Sequence, residues 1–134
     1  MTANQPTKST SLIYWIYLLI AAFMEIFWLY SLKFISKDKI MAIVWKDFFS
    51  STEAIMTLLP VLGYIGFGIA NVIAISMAMK GIPASTAFGA WMGLALIGSK
   101  LIDITFFDEP YTIKQFLFIG LILIGIIGLK IETT

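Results

Sequence analysis

The sequence predicts an all-α integral membrane protein with four transmembrane helices, and three observations lead there. Hydrophobic residues make up 60% of the 134, charged residues 13%, and mean hydropathy is +0.95. A soluble domain carries about 45–50% apolar and about 25% charged residues. A soluble fold of this size could not bury so much apolar surface, so lipid must cover it. Secondly, four stretches reach the roughly 20 mostly apolar residues that a helix needs to cross a bilayer core. Thirdly, Gly, Pro and charged residues cluster between these stretches, where breaks are needed.

A polar tail over 1–11 precedes a single four-helix domain over 12–134. The apolar run behind the tail is too long for a signal peptide and ends without a small-residue cleavage site, so it reads as a mature helix. The spans fall at about 12–34, 54–79, 84–107 and 111–130. Each must be helical, because a lone strand would leave backbone groups unpaired in lipid. The second and third connections, Lys80-Gly81-Ile82-Pro83 and Asp108-Glu109-Pro110, are tight and force antiparallel neighbours. The first connection is long, over 36–53. It mixes Lys37, Lys39, Lys46, Asp38 and Asp47 with Ile40, Ile43, Val44, Trp45, Phe48 and Phe49. That mixture fits a short amphipathic helix on the membrane surface, and an ordered loop fits almost as well.

All nine basic residues are Lys. Lys8, Lys80 and Lys130 mark one side of the membrane, and Lys33, Lys37, Lys39, Lys46 and Lys114 the other. This bias favours both termini outside, and it is weak enough to suit a protein that inserts in both orientations. The net charge of +1 gives no case for nucleic acid. With neither Cys nor His, the chain has no disulfide, thiolate, imidazole base or imidazole metal ligand. No metal or cofactor site is expected, and no phosphate-cradling glycine loop precedes a helix, so enzyme chemistry is the least expected function.

The chemistry concentrates on Glu25, near the middle of the first span. A charge there costs roughly 3 kcal/mol or more, which makes an intramembrane carboxylate a functional group by default. Low dielectric disfavours its ionised form, so such a carboxyl can hold a proton or a cation, one at a time. That competition is the physical basis of proton-coupled cation antiport. At helical spacing, Ala21 and Ala22 lie one turn before it and Trp28 one turn after. The alanines admit a ligand or another helix. Trp28 offers a π face and an N–H donor, or else lies at the lipid. Asn71, a lone amide in the second span, bonds across helices or lines the site. In the third span, Phe88 and Trp91 share a face and could complete a cation box, or pack in the core. Gly89 and Gly93 permit close helix approach or a bend. Lys100 and Asp103, three apart, can pair with each other or reach the interface. Gly120, Gly125 and Gly128 leave a groove in an otherwise Ile/Leu fourth span, which reads as a dimer contact.

These residues resemble the small multidrug resistance family of proton-coupled exporters, from Leu12 to Lys130. Glu25 takes the place of the family's essential carboxylate. The stretch from Ala78-Met79-Lys80-Gly81-Ile82-Pro83 to Trp91 is similar to the family's second loop and third helix. The glycines of the fourth span match its dimerisation pattern. Glu25-Ile-Phe-Trp28 followed by Leu32-Lys33, and the ending Gly125-Ile-Ile-Gly128-Leu129-Lys130, resemble the guanidinium-exporter branch. The resemblance implies an antiparallel dual-topology dimer in the cell (inner) membrane that exchanges protons for a small guanidinium-like cation. It places Trp28, Asn71, Phe88 and Trp91 around paired Glu25 residues.

The sequence departs from that branch at several positions. Asn71 and Phe88 stand where the branch has Ser and Tyr, and Phe88 has no hydroxyl to donate. Ala22 and Ala95 replace glycines, and the first connection is longer. A quaternary-ammonium exporter of the same family, a non-catalytic subunit of a heterodimeric transporter and a lipid-carrier flippase component therefore stay open as alternatives.

Overall fold

The computed structural model describes residues 8–132. Four long helices run through it: α1 (Lys8–Phe34), α3 (Thr52–Ala78), α4 (Ala84–Phe106) and α5 (Ile113–Glu132). Two short helices fill the first connection, α2 (Lys37–Met41) and a 3-10 turn at Trp45–Ser50. Of the polar tail expected over 1–11, residues 8–11 belong to α1 and the rest lie outside the described residues. All four long helices have the length and apolar composition to cross a membrane.

Local chemistry sets the helix ends. The Ser51 side chain accepts the Ala54 N–H at 3.3 Å, and Glu53 lies in the first turn, where the helix dipole favours an anion. Thr112 and Gln115 form a reciprocal cap before α5: Thr112 N–H donates to Gln115 Oε1 at 3.1 Å, and Gln115 N–H lies 3.4 Å from Thr112 Oγ1. Between α4 and α5, Asp108 takes a left-handed conformation (φ 50°), which Asp tolerates better than most side chains. Pro60 sits inside α3, where it removes one backbone hydrogen bond.

The helices meet through small side chains. α1 packs most extensively on α3 and then on α4, while α5 lies along α4. The core joins Leu18 and Ala21 of α1, Ala74, Ile75 and Ala78 of α3, Ile82 of the tight connection, and Ala87 and Ala90 of α4. In lipid no hydrophobic drive separates helix from solvent, so close backbone approach supplies the packing. Ala21 and Ala22 are both buried, and Ala21 belongs to the core in which α1 meets α3 and α4. α5 contributes no buried residue. Its Ile122 and Ile126 lie over Gly93 of α4, and Lys130 reaches over the Trp15 ring at 5.2 Å. In the first connection Trp45 stacks on Phe48 at 5.9 Å, and Phe49 is 92% exposed. Charged and aromatic side chains mix there, as they do in interfacial segments.

Candidate functional site

Glu25 faces α3, and its Oε2 accepts a hydrogen bond from Asn71 Nδ2. Asn71 is only 6% exposed, and its carbonyl Oδ1 is buried with no partner among the described residues. An amide has two donors and a two-lone-pair acceptor, so the whole acceptor side of Asn71 is unused among those residues. A buried acceptor left bare costs about 1–3 kcal/mol. The α1–α3 seam thus carries an acidic acceptor and, on its partner residue, a neutral acceptor awaiting an N–H.

Trp28 lies on the same seam. Its ring pairs with Tyr64 of α3 at 5.2 Å between centroids. The indole fits over Gly68, where a Cβ would stand 3.1 Å from Trp28 Cδ1 and 3.2 Å from Nε1. Gly68 is therefore the position at which α3 makes room for the ring one turn from Glu25. Neither Tyr64 nor Gly68 is singled out by the sequence, because each matters only through a partner on another helix.

Phe88 and Trp91 share a face of α4 and pair edge to face at 5.6 Å. Among the described residues they have no hydrogen bond or ring contact to Glu25. Trp91 packs against the core, and its Nε1 is buried without an acceptor among those residues. Phe88 is 55% exposed. The five candidate residues thus form two groups, Glu25–Trp28–Asn71 between α1 and α3 and Phe88–Trp91 on α4. At Gly120, Gly125 and Gly128, no atom of the described chain lies within 4 Å of the place a Cβ would take, so these glycines face open space.

Lys100 and Asp103 do not pair. Asp103 instead meets α1: Lys33 Nζ is 3.7 Å from Oδ1, and the Tyr30 hydroxyl is 2.8 Å from Oδ1 and 2.8 Å from the Ser99 carbonyl oxygen. Since a phenol has one proton, Tyr30 donates to one of the two acceptors at a time.

Residues 39–122 match the family model described as Small Multidrug Resistance protein, a stretch that begins after α1. Among curated proteins, the chain is 33% identical to a guanidinium exporter of Yersinia pseudotuberculosis over 119 residues, covering 89% of this chain and 98% of that protein. It is 32% identical to a guanidinium exporter of Proteus vulgaris with the same coverage. A guanidinium exporter of Citrobacter freundii is 31% identical, with 89% of this chain and 97% of that protein covered. With four membrane-crossing helices and relatives of matching length, the chain belongs to the small multidrug resistance family of multi-pass membrane transporters.

Proposed function

We propose that this chain is a proton-coupled antiporter that expels guanidinium-like cations, with Glu25 as the group that binds proton and substrate in turn. The observation that carries the reading is the Glu25–Asn71 pair, a membrane-embedded carboxylate bonded to an amide whose carbonyl oxygen is buried with no partner among the described residues. A guanidinium is planar and rich in N–H donors. It can donate to both a carboxylate and a carbonyl oxygen, whereas a quaternary ammonium offers neither a hydrogen bond. The relatives named as guanidinium exporters support the same substrate class.

The working unit is an antiparallel dimer. The outward-facing Gly120, Gly125 and Gly128 supply a close-packing surface for a second copy, and four helices are too few to enclose a polar path. In the dimer, deprotonated Glu25 binds the cation on one side of the membrane. The two subunits then rock about the site, protons displace the cation from the carboxylates, and it leaves on the other side. Because proton and substrate share one carboxylate, coupling follows from mutual exclusion. Trp28, Phe88 and Trp91 complete the walls once two copies face each other.

Solid-supported-membrane electrophysiology on the protein in liposomes tests this. Guanidinium and methylguanidinium should give currents that Glu25→Gln abolishes, and tetraalkylammonium ions and polyamines should not. Full exchange by Glu25→Gln would defeat the mechanism, and current carried by bulky quaternary cations would defeat the substrate class. Silence toward every cation in a folded sample would point to the heterodimer subunit, since Phe88 lacks the branch's hydroxyl.

A further inference from the structure

A second cation-holding arrangement lies on a different seam from Glu25, where the ends of α1 and α4 meet. Asp103 of α4 supplies the anion. Tyr30 of α1 donates to it, and Tyr30 and Phe107 stack at 5.5 Å with 5° between their planes. Phe34 closes one edge at 6.1 Å from Phe107. The Lys33 ammonium sits in this box, 3.7 Å from the carboxylate, 3.7 Å from the Phe107 centroid and 5.8 Å from the Tyr30 centroid. A carboxylate beside two ring faces is the chemistry that recognises an organic cation. Here the cation is tethered to the chain.

The tether is loose. At 3.7 Å the ammonium and carboxylate are beyond good hydrogen-bond length, and the Lys33 side chain is 44% exposed. An exposed ion pair of this kind contributes little, and a lysine near a helix end swings readily toward the interface. A cleft of about 320 Å³ lined by Leu29, Tyr30, Leu32, Lys33 and Asp103 opens beside it, roomy enough for a small planar cation. Guanidinium would improve on the ammonium in two ways. It can meet both carboxylate oxygens at once, and its plane can lie flat on the Phe107 ring.

We infer that Asp103, Tyr30 and Phe107 form a second binding site for small planar organic cations at the membrane end of the α1–α4 seam, and that Lys33 is its built-in competitor. The site is independent of Glu25. It lies on a different face of α1, with Lys33 eight residues along and so about 12 Å nearer the helix end. It would gather cations at the mouth of the protein and release them easily, because Lys33 returns.

The test is equilibrium dialysis with radiolabelled guanidinium on the purified full chain carrying Glu25→Gln, which takes the central carboxylate out of the measurement. Adding Lys33→Met should raise guanidinium affinity at least about tenfold, and adding Asp103→Asn to that pair should return it to background. An affinity unchanged within twofold by Lys33→Met, or a gain that survives Asp103→Asn, would overturn the inference. A second reading needs neither substitution. In the Glu25→Gln chain, guanidinium should speed acylation of the Lys33 amine by an amine-reactive ester, scored by mass spectrometry, while tetrabutylammonium should not. Equal rates with and without guanidinium would again overturn it. Because both readings use a chain without the central carboxylate, failure here leaves the Glu25 exchange reading standing, and failure of that reading leaves this site standing.

Discussion

Asn71 donates its amide N–H to Glu25 across the α1–α3 seam, so the acid in the middle of the first span is held by a neutral group rather than by a lysine. A cation partner would cancel the charge of Glu25 and leave nothing for a substrate to do. An amide carries no charge of its own, so it leaves the carboxyl group free to take a proton or a cation in turn. It also carries a second oxygen, Oδ1, which is buried and has no partner among the described residues.

Asn71→Leu keeps the bulk of the side chain and removes both polar functions. A hydrogen bond to a charged group contributes about 1.5–3 kcal/mol, so guanidinium binding should weaken about tenfold or more. Tetraethylammonium, which has no N–H to offer, should lose much less. Calorimetric titration of both cations on the same preparation decides the matter. Equal losses would mean that Asn71 serves only to position Glu25.

Gly68 should prove as important to the site as Trp28 itself. A Cβ there would press on the indole at 3.1–3.2 Å, closer than comfortable packing. Gly68→Val should therefore shift the Trp28 ring and lower guanidinium affinity several-fold while the helices persist. With fluorotryptophan incorporated, the ¹⁹F signal of Trp28 should move and those of Trp15, Trp45 and Trp91 should stay. A Trp28 signal that does not move would remove Gly68 from the site.

The spans were legible because length and apolarity are local properties, and Glu25 because a carboxylate inside an apolar run is costly wherever it occurs. Asn71 stood out for the same reason, but its hydrogen-bond partner lies 46 positions away, beyond the reach of spacing within one helix. Asp103 shows the limit most clearly. On its own helix Lys100 is its neighbour by spacing, yet its partners are Tyr30 and Lys33, brought by the packing of α4 on α1. Helical periodicity gives neighbours within a helix and is blind to the rotation of one helix against another. The grouping of Phe88 with Trp91 was legible as a shared face. What that face meets is a matter of tertiary and subunit packing, which spacing does not encode.

The α4–α5 contact should be sensitive to a single added side chain. At Gly93 a Cβ would collide with Ile126 and stand 3.0 Å from Ile122 Cγ2. Overpacking of this kind costs about 1–3 kcal/mol. Gly93→Leu should therefore lower the melting temperature in detergent and loosen α5, read as faster cysteine labelling at an engineered Ile122→Cys. Because α5 packs chiefly on α4 and reaches α1 at Lys130 over the Trp15 ring, ten residues before Glu25, α1 and α3 should keep their contact, and the Glu25–Asn71 pair should survive. An unchanged melting temperature would mean that α5 already sits further from α4 than the side chains at Gly93 require.

Gly125 makes the opposite case on the same helix. No atom of the described chain lies within 4 Å of the position a Cβ would take, and the same holds for Gly120 and Gly128. Gly125→Leu should therefore leave the single chain's helix content and melting temperature nearly unchanged. If the glycines form the seam between two copies, the added side chain separates backbones that must approach closely, and nothing in lipid compensates for the lost packing. Dimerisation in liposomes, followed by single-molecule photobleaching over a range of protein-to-lipid ratios, should weaken at least tenfold, and exchange should fall with the dimer fraction. Loss of exchange with dimerisation intact would place these glycines in motion rather than in assembly. Retention of both would move the interface to another face of the bundle.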